Sequence, residues 1–108
     1  MSRYLFIQSQ DPFTEVRTNA QYDLAKSLAS SGNSVQLLLV QNGVLAARQG
    51  ASSEAFDSLA SQGVNILADT FSLKQREIET NQLKPFVAPA EIDMAVAAML
   101  NGDKVIWN

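Results

Sequence analysis

The sequence predicts an α/β domain, a three-layer sandwich around a mainly parallel sheet of four or five strands. Three observations predict it. Four short, largely apolar runs, at residues 4–7, 35–40 (with a single polar interruption at Gln36), 64–68 and 104–107, do not alternate strictly, as strands covered on both faces do not. Helical periodicities or helix-forming stretches separate them. Turn-forming residues, Gly32-Asn33, Gln41-Asn42-Gly43, Gly63 and Asn101-Gly102, punctuate the boundaries. A strand, a helix and a second fully buried strand make a βαβ unit, which requires parallel pairing.

Tyr4-Leu5-Phe6-Ile7 is the first strand, closed by a polar loop over 8–12 in which Asp11-Pro12 marks a turn. A helix follows over 15–31. Val16, Ala20, Leu24 and Leu28 repeat every four positions and form its expected buried face, with Thr14 as N-cap and Gly32-Asn33 as the stop. Residues 35–40 form the second strand, ended by Gln41-Asn42-Gly43. The apolar piece Val44-Leu45-Ala46-Ala47, a polar loop over 48–53 and a helix over 54–62 with Phe56, Leu59 and Ala60 inward lead to Gly63. The third strand covers 64–68, and Asp69-Thr70 caps a helix reaching Ile78. Residues 79–89 read as irregular, with Phe86-Val87 either a brief edge strand or a packing anchor. The Ala- and Met-rich stretch 90–100 is the last helix, and 104–107 the last strand. No linker, repeat or low-complexity segment divides the chain, so one domain over 1–108 is expected.

Composition narrows the chemistry. The chain has 108 residues, 46% of them hydrophobic, and no apolar run near the length of a membrane span. Eight basic against eleven acidic residues give a formal charge of -3, which lacks the positive field that nucleic acid or an anionic membrane attracts; neither is an expected partner. There is no cysteine and no histidine. Thiolate nucleophiles, persulfides, disulfides and imidazole acid-base catalysis are therefore closed to this chain, and no metal or cofactor is expected. The apolar run after Arg3 is too short for a secretion signal, so a cytoplasmic location is expected.

In such folds ligands bind beyond the carboxyl ends of the strands. That rule selects the loops over 9–14, 41–44 and 68–70, and with them the ligand-binding candidates Asp11, Asn42, Gly43, Arg48 and Asp69. Asp11 and Asp69 could converge as an acid-base pair, although a turn aspartate and a helix cap account for them more simply. Gly43 stands alone, outside any phosphate-loop pattern, and reads as a turn glycine with positive φ. Arg17 and Arg48 follow cleft-side loops and could reach an anion there. Lys74, Arg76, Glu77 and Glu79 read as a solvated mixed-charge face. Trp107 suits either a subunit contact or the core, and the 90–100 helix, with Met94, Val96, Met99 and Leu100 around much of its circumference, implies burial on two sides.

The order of these motifs resembles the DsrE/DsrF/DsrH-like family, which includes the TusB, TusC and TusD type subunits. The resemblance is carried by Leu37-Leu38-Leu39-Val40-Gln41-Asn42-Gly43-Val44-Leu45-Ala46-Ala47, by Val64-Asn65-Ile66-Leu67-Ala68-Asp69 through Leu73-Lys74-Gln75-Arg76, and by Asn101-Gly102-Asp103-Lys104-Val105-Ile106-Trp107. It implies a DsrE-like sheet and a sulfur-relay setting. Aligned on Leu73, Ala68 falls where sulfur-carrying members have their reactive cysteine, and the 68–76 run is closer to the TusB/DsrH-like pattern. The expected role is thus a noncatalytic assembly or binding subunit, homo-oligomeric or paired with a cysteine-bearing relative. The alternative is a small-molecule binder or enzyme taking an anion or nucleotide in the cleft at the strand carboxyl ends.

Overall fold

A computed structural model describes residues 2–15 and 17–107. Five strands form one parallel sheet: β1 (Arg3–Gln8), β2 (Ser34–Leu39), β3 (Val64–Asp69), β4 (Val87–Ala90) and β5 (Lys104–Trp107). Their order is β4-β3-β2-β1-β5. The chain steps outward from β1 through β2 and β3 to β4, then crosses back to place β5 on the other side of β1. The reversal sends the last crossover helix to the opposite face of the sheet. Helices α1 (Arg17–Ser30), α2 (Glu54–Asp57) and α3 (Thr70–Gln75) cover one face, and α4 (Asp93–Leu100) covers the other.

Alternation along each strand divides the core in two. Phe6, Val35, Leu37, Leu39, Val64, Ile66, Ala68 and Val87 meet Tyr22, Ala25, Phe56, Leu59 and Leu73 on the first face. Leu5, Ile7 and Leu38 meet Ala95 and Ala98 on the second. Burial of both faces is why these strands read as largely apolar runs. On the first face the buried Lys84 ammonium lies 2.6 Å from Asp57 and 5.3 Å from the centre of the Phe56 ring.

Several elements depart from the sequence expectation. In α1 the buried residues are Thr18, Tyr22 and Ala25, whereas Ala20 and Leu24 are exposed and Leu28 is half-buried; Val16 lies outside the described residues. The helix turns this way because Tyr22 stacks edge-on against Phe56 at 5.7 Å, the Thr18 hydroxyl reaches back to the Asp11 carbonyl at 3.2 Å, and the small Ala25 and Ala29 bring the backbone close to the sheet. Thr14 is not its N-cap but donates to Asp11. Gly32 does end the helix, at φ +90, with the Asn33 backbone and side-chain amides both on the Leu28 carbonyl.

The expected 54–62 helix is broken into α2 and a 3-10 turn at Ala60–Gln62. Ser58 and Ser61 hydroxyls bond the carbonyls of Ala55 and Ser58, a local competition with the helical ladder. The α3 helix stops at Gln75 because Glu77 takes φ 55 and turns Ile78 into the core. Phe86 anchors against Phe56 and Val87 opens the edge strand, while Ala90, expected in the last helix, pairs with Asp69 instead. Pro89 is tolerated because β4 is an edge. Trp107 is 63% exposed, which removes it from the core.

Candidate functional site

The first candidate loop begins where β1 ends. Buried Gln8 donates from Nε2 to the Gln10 carbonyl at 3.2 Å, and the buried Asp11 carboxylate accepts the Phe13 amide at 2.8 Å, the Thr14 amide at 2.9 Å and the Thr14 hydroxyl at 3.0 Å. Asp11 is thereby the internal staple of its own loop. Arg17, at the start of α1, is exposed and pairs with Glu15; the Arg17 backbone amide and guanidinium hold the Glu15 carboxyl below its usual range.

After β2 the chain enters a 3-10 helix, Gln41–Ala47, whose Gly43, Val44, Ala46 and Ala47 are buried. Gly43 does not have positive φ, contrary to the turn expectation. It is required instead by closeness: a Cβ there would overlap the Gln8 carbonyl oxygen at the end of β1. The left-handed residue is Gln41, φ 51, and its amide donates to the Ser72 hydroxyl at 2.8 Å. Ser72 passes the bond on, donating its hydroxyl to Asp69 at 2.7 Å, and its amide reaches the same carboxylate oxygen at 3.0 Å. Asp69 is thus the N-cap of α3, as the sequence suggested, and also ties the β2 loop to the β3 loop.

Asn42 accepts from two nitrogens of Arg76, at 3.3 and 3.0 Å, and Arg76 also donates to the Ser72 carbonyl at 3.2 Å. Arg76 is therefore half-buried and fastened, not part of a solvated helix face. Arg48 is exposed, with its Nε on the Leu45 carbonyl at 3.0 Å. Asp11 staples its own loop and Asp69 caps α3, and no hydrogen bond joins the two among the described residues. Among the described residues no cluster of three metal-ligating side chains forms, and no helix is long and apolar enough to cross a membrane.

What stands open at the carboxyl ends of the strands is mostly apolar. A cavity of about 330 Å3 is lined by Val40, Gln41, Asp69, Phe71, Ser72, Gln75, Ile92 and Trp107. Phe71 and Trp107 are 66% and 63% exposed. Ile92 belongs to this cavity and also begins a row with Val96, Met99 and Leu100, spaced four, seven and eight residues on, along the outer side of α4. Sequence reading missed Phe71 and Ser72 at this rim. The Asp69-Thr70-Phe71-Ser72 spacing, an N-cap followed by its hydrogen-bonded third residue, carries the local signal for Ser72.

Comparison with known proteins now bears on the fold. The model of the DsrE/DsrF-like family matches residues 2–107. This chain belongs to the DsrE/DsrF-like family. No curated protein matches it by sequence. Among solved structures it is similar to MTH1491 of Methanobacterium thermoautotrophicum, described as a protein of unknown function, with a TM-score of 0.88, 18% identity and full coverage of both chains. It is equally similar to the ychN protein of E. coli, with a TM-score of 0.88, 20% identity and full coverage of both. BT1422 of Bacteroides thetaiotaomicron, also of unknown function, aligns at a TM-score of 0.71 and 15% identity over 97% of this chain and 94% of that one. At these identities the likeness shows the DsrE-like fold. Within this DsrE/DsrF-like chain Ala68, the position assigned by resemblance to the relay cysteine, is fully buried and points into the helix-covered core between Leu39 and the β4 edge.

Proposed function

We propose that this chain is a noncatalytic DsrE/DsrF-like subunit whose work is assembly, packing against another copy of itself or against a cysteine-bearing relative. The observation that carries this reading is the character of the cleft at the strand ends. Exposed Phe71, Ile92 and Trp107 wall it, and the row Ile92, Val96, Met99, Leu100 extends the same apolar surface along α4. Soluble monomers rarely leave a patch of this kind uncovered. The polar candidates favour the same side. Asp11, Asn42 and Asp69 each accept structural hydrogen bonds and Gly43 is a packing glycine, so these candidates are largely engaged in holding their own loops together. Without cysteine the chain has no atom that can attack a sulfane sulfur and hold it as a persulfide. The same reading keeps it in the cytoplasm.

Light scattering on the purified chain at tens of micromolar, about the concentration at which weak protein interfaces still associate, tests this. A dimer or larger species that Leu100→Lys with Trp107→Lys dissociates supports the proposal. So does a monomer that forms a stoichiometric complex with a cysteine-bearing relative. A monomer that also ignores such a relative overturns it.

A further inference from the structure

The geometry points to a second site, a binding niche for a small oxyanion between Arg48 and Arg76. It shares no lining residue with the apolar cleft and forms where the chain over 47–49 runs beside 82–84 and the end of α3 approaches. Residues Arg48, Gln49, Arg76, Glu77, Ile78 and Gln82 line a cavity of about 280 Å3. The two guanidinium groups come from segments 28 residues apart in sequence, and each is held in place by neutral acceptors. Arg76 is fastened by the Asn42 side-chain oxygen and the Ser72 carbonyl, and Arg48 by the Leu45 carbonyl. The Arg48 backbone is itself anchored by its bridge to Leu83 and by the neighbouring Gln49 amide on the Gln82 carbonyl at 2.7 Å.

Ion pairs among the described residues join Arg3 to Asp103, Arg17 to Glu15 and Lys84 to Asp57. None neutralises Arg48 or Arg76. Two arginines that line one cavity with no carboxylate paired to either leave positive charge there for an anion to neutralise, and among the described residues Arg48 donates only from Nε, to the Leu45 carbonyl. A planar fork matches phosphate or carboxylate oxygens in pairs. In a chain of net charge -3 this is a local reversal of sign, so it selects a small anion rather than a polyanion, which the surrounding acidic field repels. Glu77 also lines the cavity, and no salt bridge joins it to either arginine among the described residues. It opposes the ligand's charge and lowers affinity, which makes it a diagnostic position.

The experiment titrates the full chain with inorganic phosphate and, separately, with succinate, following the Arg48 and Arg76 side-chain Nε–H signals by NMR. The expected result is saturable shifts of both signals with a dissociation constant on the order of millimolar. Arg48→Gln, whose side chain makes one exposed bond to Leu45, is expected to weaken binding about tenfold while the backbone spectrum is retained. Glu77→Gln is expected to tighten it severalfold. Saturation by phosphate alone identifies a phosphate-type ligand, and saturation by succinate alone a carboxylate; either supports the niche. Shifts that fail to saturate with both probes overturn it, as does binding that neither Arg48→Gln nor Glu77→Gln changes.

Discussion

At Gly43 the backbone after β2 comes so near the last residue of β1 that a single methyl group cannot be placed between them. The obstacle is a carbonyl oxygen and not a flexible side chain, and the same oxygen also accepts the Val40 amide. Gly43→Ala is therefore expected to cost about 1–3 kcal/mol, the range for overpacking, measured by urea unfolding; a loss below a few tenths would show that the 3-10 helix moves aside freely. Ala68 poses the opposite question. Its side chain is fully enclosed, so a thiol introduced by Ala68→Cys is expected to resist a water-soluble disulfide reagent in the native protein and to react once denaturant is added. Rapid native labelling would show an opening from the solvent to β3. Tyr22 is buried with its hydroxyl lacking a hydrogen-bond partner among the described residues, and burial, then the Asp11 charge, pushes its phenol well above the ordinary tyrosine range. An unfolded tyrosine ionises near about pH 10. Stability from this group is thus complete below that pH and is lost as pH rises beyond it, because the unfolded chain releases a proton that the fold retains. Tyr22→Phe is expected to be neutral or stabilising by about 1 kcal/mol at pH 7 and to remove a late, unfolding-linked tyrosinate step from the ultraviolet titration.

Among the elements, α1 gives the sharpest test of how a helix chooses its inward face. The structure buries Ala25 and exposes Leu24. Leu24→Gln is accordingly expected to change stability by less than about 0.5 kcal/mol, whereas Ala25→Leu forces three more carbons against the sheet and is expected to cost about 1–3 kcal/mol. Thermal melts that reverse this order would return the helix to the face formed by Ala20, Leu24 and Leu28. Sequence reading chose that face because it scored aliphatic residues, and Thr18 and Tyr22 counted as polar although their hydroxyl-bearing side chains are inside. The strands were legible for a simple reason: a strand buried on both sides needs no phase, so Leu37-Leu38-Leu39 reads the same in any register. The α3 cap was legible too, since Asp69 and Ser72 are three residues apart. Asn42 and Arg76 are separated by 34 positions, and no local pattern announces a bond that only the stacking of two crossover loops creates. Gly43 read as a turn glycine because it stands alone in its loop, but contact with the Gln8 carbonyl, not its own φ, dictates it.

Across the whole molecule the two sheet faces are unequal. Three helices close one face, and on the other the eight-residue α4 covers Leu5, Ile7 and Leu38 while its own outer side remains apolar. Val96→Lys together with Met99→Lys leaves Ala95 and Ala98 against the sheet undisturbed. The pair is expected to retain the thermal midpoint of a dissociated subunit while abolishing any larger species in sedimentation; precipitation of the wild-type chain but not of this variant on concentration would point the same way. The strand order has another consequence, which concerns the making of the protein. Tyr4 pairs with Lys104, one hundred positions later, so β1 has one flank empty until the residues of β5 have been made. During that interval the amides and carbonyls along one side of β1, with Leu5 and Ile7 above them, are an unguarded template for a neighbouring nascent chain. A chain ended before residue 104 should hence aggregate, and the chain that includes β5 should fold late and cooperatively, with the closing of β5 onto β1 as its slow step.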